Sequence, residues 1–162
     1  MNAGGSPLLV ARGPGPARLA TLLGLSGLAL LPLLPLAASL VPALTPLERA
    51  AYLWFDLHCH RDPARTPHLW GVPLAVCARC AGIYFGLGVG AALRLPRLVP
   101  RALRLWMAAA AALMIVDVAL EARELHGAWS WLRLGTGALL GYPVGGALGA
   151  LVTRPAAAAQ SP

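Results

Sequence analysis

Residues 74–93 have the sequence LAVCARCAGIYFGLGVGAAL, an apolar run with a CxxC motif near its start and a repeated glycine. A helix of about 20 apolar residues is long enough to cross a hydrocarbon core of about 30 Å. Gly82, Gly86 and Gly90 recur at every fourth position. Residues four apart lie on one helix face, so this spacing predicts a flat surface on which another helix backbone packs closely in lipid.

The last apolar run, residues 131–152, has the same pattern. Its glycines are Gly137, Gly141, Gly145 and Gly149. Two such series in one chain predict that both helices pack through their small-residue faces. We refer to these seven residues as the glycine series.

Two further apolar runs complete the predicted fold, an all-α, membrane-spanning bundle of four helices. Residues 19–44 contain no charge, and prolines 32, 35 and 42 predict kinks. A cleaved signal peptide is the alternative for this run, although its apolar stretch is longer than usual. Residues 105–120 form the third span. The predicted domains are a disordered tail at 1–18, the bundle at 19–152 with a Cys/His loop at 45–73, and a disordered tail at 153–162.

Composition and charge favour the same class of protein. The chain is 58% hydrophobic and 12% charged, whereas soluble domains carry about 25% charged residues. The net charge is +7, but the arginines lie at the ends of apolar runs, as topology requires. Without a basic and aromatic platform, the sequence predicts a lipid bilayer as partner and no nucleic acid.

Orientation follows from the short loops of this multi-pass protein in the cell membrane. Arg94, Arg97, Arg101 and Arg104 form a predicted loop without acids, which the positive-inside rule places in the cytoplasm. Alternation then puts both termini in the cytoplasm and the Cys/His loop outside the cell.

The cysteines and their neighbours form the first candidate site. Cys77 and Cys80 lie one turn apart at the outer start of a helix, where the positive end of the helix dipole and Arg79 favour thiolates. With Cys59 and His60 they make a Cys₃His set, which suits a tetrahedral Zn²⁺ or another transition metal. A redox-active thiol pair and chemically inert buried sulfur remain the alternatives.

Acids in the third span and just after it form a second candidate site. Asp117, Glu121 and Glu124 share one helix face, and a carboxylate within a span costs about 2.5–3.5 kcal/mol on the insertion scale. They predict either ion pairs with Arg79 and Arg133 that hold the bundle together, or a small transporter or channel. His68 and His126 are interpreted as solvated loop residues.

The motif residues resemble a family of small bacterial membrane proteins known as domain of unknown function 2085. The resemblance rests on Cys59-His60, Pro63, Arg65, Gly71, Pro73, Cys77-Ala78-Arg79-Cys80, Gly82-Ile83-Tyr84, Gly86 and Gly90, and more weakly on Asp117, Leu132-Arg133 and Thr136-Gly137 to Gly141. The chain has Arg61, Thr66 and Ala81 where the family tends to have Gln, Ser and Thr. The resemblance implies membership without a known activity, so whether the protein is an enzyme stays open.

These observations lead to one expected site and one rival. The expected metal ligands are Cys59, His60, Cys77 and Cys80, and the expected supporting residues are His58, Arg65, Arg79, Asp117, Glu121 and Arg133. The rival is a membrane thiol-disulfide oxidoreductase that passes electrons to a quinone, an analogy with four-span oxidoreductases that have a CxxC at the outer start of the second helix. Only the architecture supports that analogy.

Overall fold

The computed structural model describes residues 16–93, 99–125, 127 and 129–153. Within that part of the chain the fold is nearly all-α. Its helices are α1 (Pro16–Gly27), α2 (Leu34–Leu40), α3 (Thr45–Asp56), α4 (Ala78–Leu93), α5 (Pro100–Ala122) and α6 (Ser130–Thr153), with 3₁₀ segments at Leu28–Leu33, Pro42–Leu44 and Pro63–Arg65. The two strands are β1 (His68–Leu69) and β2 (Val72–Pro73). The predicted disordered tails fall almost entirely outside the described residues.

Within the described residues, three helical stretches are long and apolar enough to cross a membrane, namely Leu19–Leu40, Pro100–Ala122 and Ser130–Val152. The predicted span at residues 74–93 is shorter than expected. Its helix, α4, has 16 residues, which at 1.5 Å per residue gives about 24 Å. The helix begins only at Ala78, and residues 74–77 before it are not helical.

The first span is broken in the middle, as its prolines predict. A 3₁₀ segment at Leu28–Leu33 contains Pro32 and separates α1 from α2. Pro32 has no N–H to donate and its ring crowds the preceding turn, so regular α-helix cannot continue through it. The carbonyl of Pro32 accepts a hydrogen bond from the N–H of Ala75, 3.0 Å away. The break therefore holds the segment that leads into the CxxC motif.

The predicted Cys/His loop contains regular structure that the sequence analysis did not anticipate. Helix α3 fills its first part, and β1 and β2 pair as an antiparallel hairpin in the second. At the hairpin turn, Trp70 has a φ of 49° and Gly71 a φ of 81°. A two-residue hairpin turn in which both residues have positive φ matches the right-handed twist of the strands on either side.

Helices α4 and α6 pack backbone against backbone through the glycine series. A Cβ added at Gly82, Gly86 or Gly90 would overlap the backbone of Leu134, Ala138 or Tyr142. The converse also holds, because a Cβ at Gly137, Gly141 or Gly145 would overlap the carbonyl of Arg79, Ile83 or Leu87. The prediction of an interface is confirmed for these six of the seven glycines in the series.

Helix α5 has its own attachment to this pair. Trp106 donates a hydrogen bond to the carbonyl of Leu139 at 2.9 Å, and its ring stacks on Tyr142 with centroids 6.1 Å apart. The helix begins at Pro100, so Arg101 and Arg104 lie in its first two turns instead of in the predicted loop. Arg94 and Arg97 lie outside the described residues.

Candidate metal centre

A small buried core positions the cysteines. Phe55 and Val76 are completely buried, and Ala75 is 1% exposed. Cys59 and Leu74 belong to the same cluster, against which Cys77, Cys80 and Tyr84 pack. Phe55 lies one helical turn before Cys59 and accepts its backbone N–H at 2.8 Å. The end of α3 therefore delivers Cys59 into the core.

The structure brings Cys59, Cys77 and Cys80 together. All three are free thiols, and their sulfur atoms lie within 4.8 Å of one another. Sulfurs bound to one tetrahedral Zn²⁺ at about 2.3 Å are separated by about 3.8 Å. A shift of about 1 Å or less per pair would thus bring them to coordination distance.

Local hydrogen bonds favour negative charge on this sulfur cluster. The backbone N–H of Cys77 donates to Sγ of Cys59 at 3.3 Å. Cys77 lies just before α4, and the thiol of Cys80 donates to its sulfur, which lowers the pKa of Cys77 to about 5 even though partial burial raises it. A thiolate is the form of cysteine that binds metal and attacks disulfides.

The predicted fourth ligand, His60, lies outside the cysteine cluster. Its side chain is exposed and lines a groove of about 440 Å³ with Tyr52, Asp56, Arg61 and His68, among others. Arg61 pairs with Asp56 at 2.7 Å on the side of this groove. His60 follows Cys59 directly, but the chain turns away from the core there, and Arg61 has a positive φ of 45°.

His58 belongs to an aromatic group above the core. Its Nε2 lies 2.9 Å from the hydroxyl of Tyr84, which also accepts a hydrogen bond from Trp54 Nε1 at 3.1 Å. The rings of Trp54, Phe55 and His58 meet edge to face. Tyr84 was not predicted as a partner of this site, although it lies one turn after Cys80 and so on the same side of α4.

Arg79 points away from the thiols and into an ion network. It pairs with Asp117, whose side chain is 3% exposed, and lies 3.7 Å from Glu121. The position of Arg79 in the CxxC motif predicts that its charge favours thiolates. Because two carboxylates surround its guanidinium group, its contribution to the thiols is smaller than expected.

Glu121 is the centre of the network. Arg133, whose side chain is also 3% exposed, pairs with Glu121. The Nε of Arg133 donates a hydrogen bond to Oε2 of Glu121 at 3.1 Å. Arg65 reaches the same carboxylate at 3.3 Å from the loop after Cys59, and pairs with Asp62 at 3.1 Å. Of the two interpretations of these acids, the one that pairs Asp117 or Glu121 with Arg79 or Arg133 agrees with the structure. Glu124 is exposed, and His126 lies outside the described residues.

The cysteine cluster lies within a region of the chain that matches a known protein family. A family model described as "Predicted membrane protein (DUF2085)" matches residues 59–146, more than half of the chain. The chain belongs to this family. The match extends from the first cysteine of the cluster into the last glycines of α6. It includes every predicted metal ligand and every expected supporting residue except His58.

One curated relative is the uncharacterized protein MJ1492 of Methanocaldococcus jannaschii. It is 49% identical over 39 residues, which is 24% of this chain and 25% of that protein. The chain thus matches only a quarter of the relative's length. No solved structure matches this chain.

Proposed function

We propose that this DUF2085 protein is a multi-pass membrane protein whose cysteine cluster binds a thiophilic metal ion, with Zn²⁺ the first choice. The observation that carries the proposal is the convergence of three free sulfurs from two distant chain segments within 4.8 Å. Thiolate ligands select Zn²⁺ or Cu(I) over hard cations. The hydrogen bond from the Cys77 N–H to Cys59 supports a charged sulfur at a buried position.

The fourth coordination position has two possible ligands, His60 and water. His60 lies in the neighbouring groove, so coordination by His60 requires the chain after Cys59 to turn inward. Cys77 and Cys80 are only partly buried, which leaves one side of the cluster accessible to water. Three protein ligands and an open position are typical of sites that exchange or use their metal, and four protein ligands of structural sites.

Zinc content and thiol protection of the purified protein test the proposal. Under reducing conditions we expect about one zinc ion per chain and protection of all three cysteines from alkylation, which chelation should remove. Cys59→Ser should lower the zinc content to below a tenth. Protein that contains no stoichiometric metal after supplementation, with three freely alkylated thiols, would contradict metal binding.

A pair of histidine variants decides the fourth ligand. His60→Ala should weaken zinc binding strongly if His60 coordinates, because the ligands of one site act together. His68→Ala is the matched control, since His68 lines the same groove but lies in β1. Equal zinc affinity in both variants would assign the fourth position to water.

A thiol-disulfide oxidoreductase is the second candidate function, favoured by the free thiols and the lowered pKa of Cys77. In that reaction Cys77 and Cys80 would form a disulfide and lose two protons and two electrons, which would reduce a quinone to a quinol. Protein isolated without reductant would then contain a Cys77–Cys80 disulfide, and quinone added to the reduced protein would consume two thiols per chain. We do not propose transport, because the acids that suggested it are held in ion pairs, Asp117 with Arg79 and Glu121 with Arg133.

We further propose that α4 spans the membrane with the three longer stretches, which makes a four-helix bundle with both termini in the cytoplasm. The close packing of α4 against the long helix α6 supports this arrangement. A reporter fused after Arg97 should report the cytoplasm, and one fused after Pro67 the outside. The reverse pattern would overturn the orientation, and it would also place the thiols in a reducing compartment.

A further inference from the structure

Four separate chain segments meet at the carboxylate of Glu121, near the end of α5. Its Oε1 contacts Arg65 from the 3₁₀ segment Pro63–Arg65 and Arg133 from α6. Its Oε2 contacts Arg133 again and lies 3.7 Å from Arg79 of α4. Both oxygens are therefore used, and each faces a different pair of segments.

Two of these segments carry the cysteines. Arg79 lies between Cys77 and Cys80, in the first turn of α4. Arg65 lies six residues after Cys59 in a turn that is itself fixed, because the side chain of Asp62 accepts the N–H of Ala64 at 2.9 Å and its carbonyl accepts the hydroxyl of Thr66 at 2.8 Å. Glu121 is thus connected to both sides of the sulfur cluster, although it touches no sulfur itself.

We infer that Glu121 is a positioning residue for the cysteine site: through Arg65 and Arg79 it holds the two cysteine-bearing segments at the separation that brings the three sulfurs together. The inference deepens the proposed function and rests on it only for the effect on metal affinity. Groups beyond the ligands that fix ligand geometry commonly change metal affinity 10–100-fold when they are replaced. Because Glu121 acts through a longer connection, we expect about tenfold.

A purely structural role for Glu121 gives a different expectation. If the carboxylate only neutralises the buried Arg133, its loss would lower the stability of the bundle and leave the folded sulfur cluster unchanged. Arg65 separates these roles, since its side chain is 51% exposed and its removal leaves no charge stranded in the interior. A variant at Arg65 should therefore alter the sulfur geometry without much effect on the melting temperature.

The test measures sulfur proximity without any metal. In a Cys80→Ser background, a short bifunctional thiol reagent should link Cys59 to Cys77. Arg65→Gln and Glu121→Gln should each slow this reaction at least fivefold. The matched controls are Arg61→Gln, which changes an arginine in the same loop that pairs with Asp56, and Glu124→Gln, which changes an exposed acid one turn after Glu121. Both controls should react at the rate of the parent.

Zinc titration of the same substitutions in the full set of cysteines separates the two proposals. Weaker zinc binding by about tenfold in Arg65→Gln, with an unchanged melting temperature, supports the positioning role. Unchanged crosslinking in both Arg65→Gln and Glu121→Gln would overturn it, even if wild-type protein binds zinc. If crosslinking slows but wild-type protein binds no metal, the metal proposal fails and the positioning role remains.

Discussion

The α4–α6 interface and the cysteine end of the molecule hold their parts together in different ways. Along the interface, glycines remove the side chains so that backbone meets backbone, as at Gly141 and Ile83. At the cysteine end, side chains from four segments meet around Glu121 and in the sulfur cluster. The first arrangement tolerates almost no added atom. The second depends on pairs of charged groups and on loops of particular shape.

This difference separates the contacts that hold the helices together from the groups that are available to a functional site. Close packing of small residues drives helix association in lipid, where apolar burial between helices gives little advantage. The ion network lies at one end of the same helix pair, because Arg79 is near the start of α4 and Arg133 is near the start of α6. This close-packed pair of helices thereby presents charged groups at a defined separation, and the part of the site that is not α-helical is the chain between Cys59 and Cys77.

The largest expected effect comes from breaking the buried pair of Arg79 and Asp117. Asp117→Asn should destabilise the folded protein by up to about 3–5 kcal/mol, since it removes the closer of the two carboxylates beside the Arg79 guanidinium group and leaves only Glu121, 3.7 Å away. Asp56→Asn is the control, because Asp56 pairs with Arg61 at a side-chain exposure of 48%, where such pairs contribute about 0–1 kcal/mol. Melting in detergent measures both, and equal losses would show that the Asp117 pair is effectively solvated.

Recovery by a double substitution would show what the network contributes beyond stability. Arg79→Met together with Asp117→Leu should regain most of the lost stability, as apolar replacements of buried ion pairs often do. The double variant should still bind zinc more weakly than the wild type, because the connection from α4 to α5 is gone. Full zinc affinity in this variant would limit the network to holding the bundle together.

The next effect concerns the glycine interface. Gly141→Ala should destabilise the bundle by about 1–3 kcal/mol, the usual range for overpacking, because its Cβ would overlap the carbonyl of Ile83. Gly135→Ala, on the same helix, meets nothing within 4 Å and should be neutral or slightly stabilising, since alanine favours helix. Similar melting temperatures for the two variants would mean that the α4–α6 contact is looser than backbone packing.

The interface could be predicted from sequence because its signal is periodic. A glycine at every fourth position identifies the packing face of a helix even when the partner helix is not known. Two such faces in one chain predict that the two helices pack against each other. Pro32 and Pro35 predicted the break in the first span, because proline interrupts a regular helix. Acids and arginines at the ends of neighbouring spans predicted ion pairs, because a carboxylate in lipid requires a partner.

The cysteine end was predicted less well because its geometry depends on loops. Spacing along the chain suggested that Cys59 and His60 would approach the CxxC motif together. Adjacent residues outside a helix point in different directions, however, and His60 lies in the neighbouring groove while Cys59 is buried in the core. Helix α3 was missed because its charged residues and tryptophan suggested an interfacial loop. The link from Arg65 to Glu121 has no periodic signal at all.

The smallest effect on the fold is expected from the hydrogen bond between Cys80 and Cys77, and it tests whether the sulfur cluster is as compact as its geometry indicates. A donor from Cys80 lowers the pKa of Cys77 from 9.0 to about 5. The Cys77 thiolate should therefore persist as the pH falls towards 5, and alkylation of Cys77 should slow only below that pH.

Cys80→Ala removes the donor, so the pKa of Cys77 should rise towards its ordinary value and alkylation at pH 6 should slow at least tenfold. Cys80→Ser retains a hydroxyl donor at the same position and should keep most of the wild-type rate. Because a thiolate with a lower pKa is also an intrinsically weaker nucleophile, the comparison must use the pH at which each rate is half-maximal. If the two variants titrate at the same pH, the Cys80 side chain does not reach Cys77, and the three sulfurs are too far apart to bind one metal ion without rearrangement.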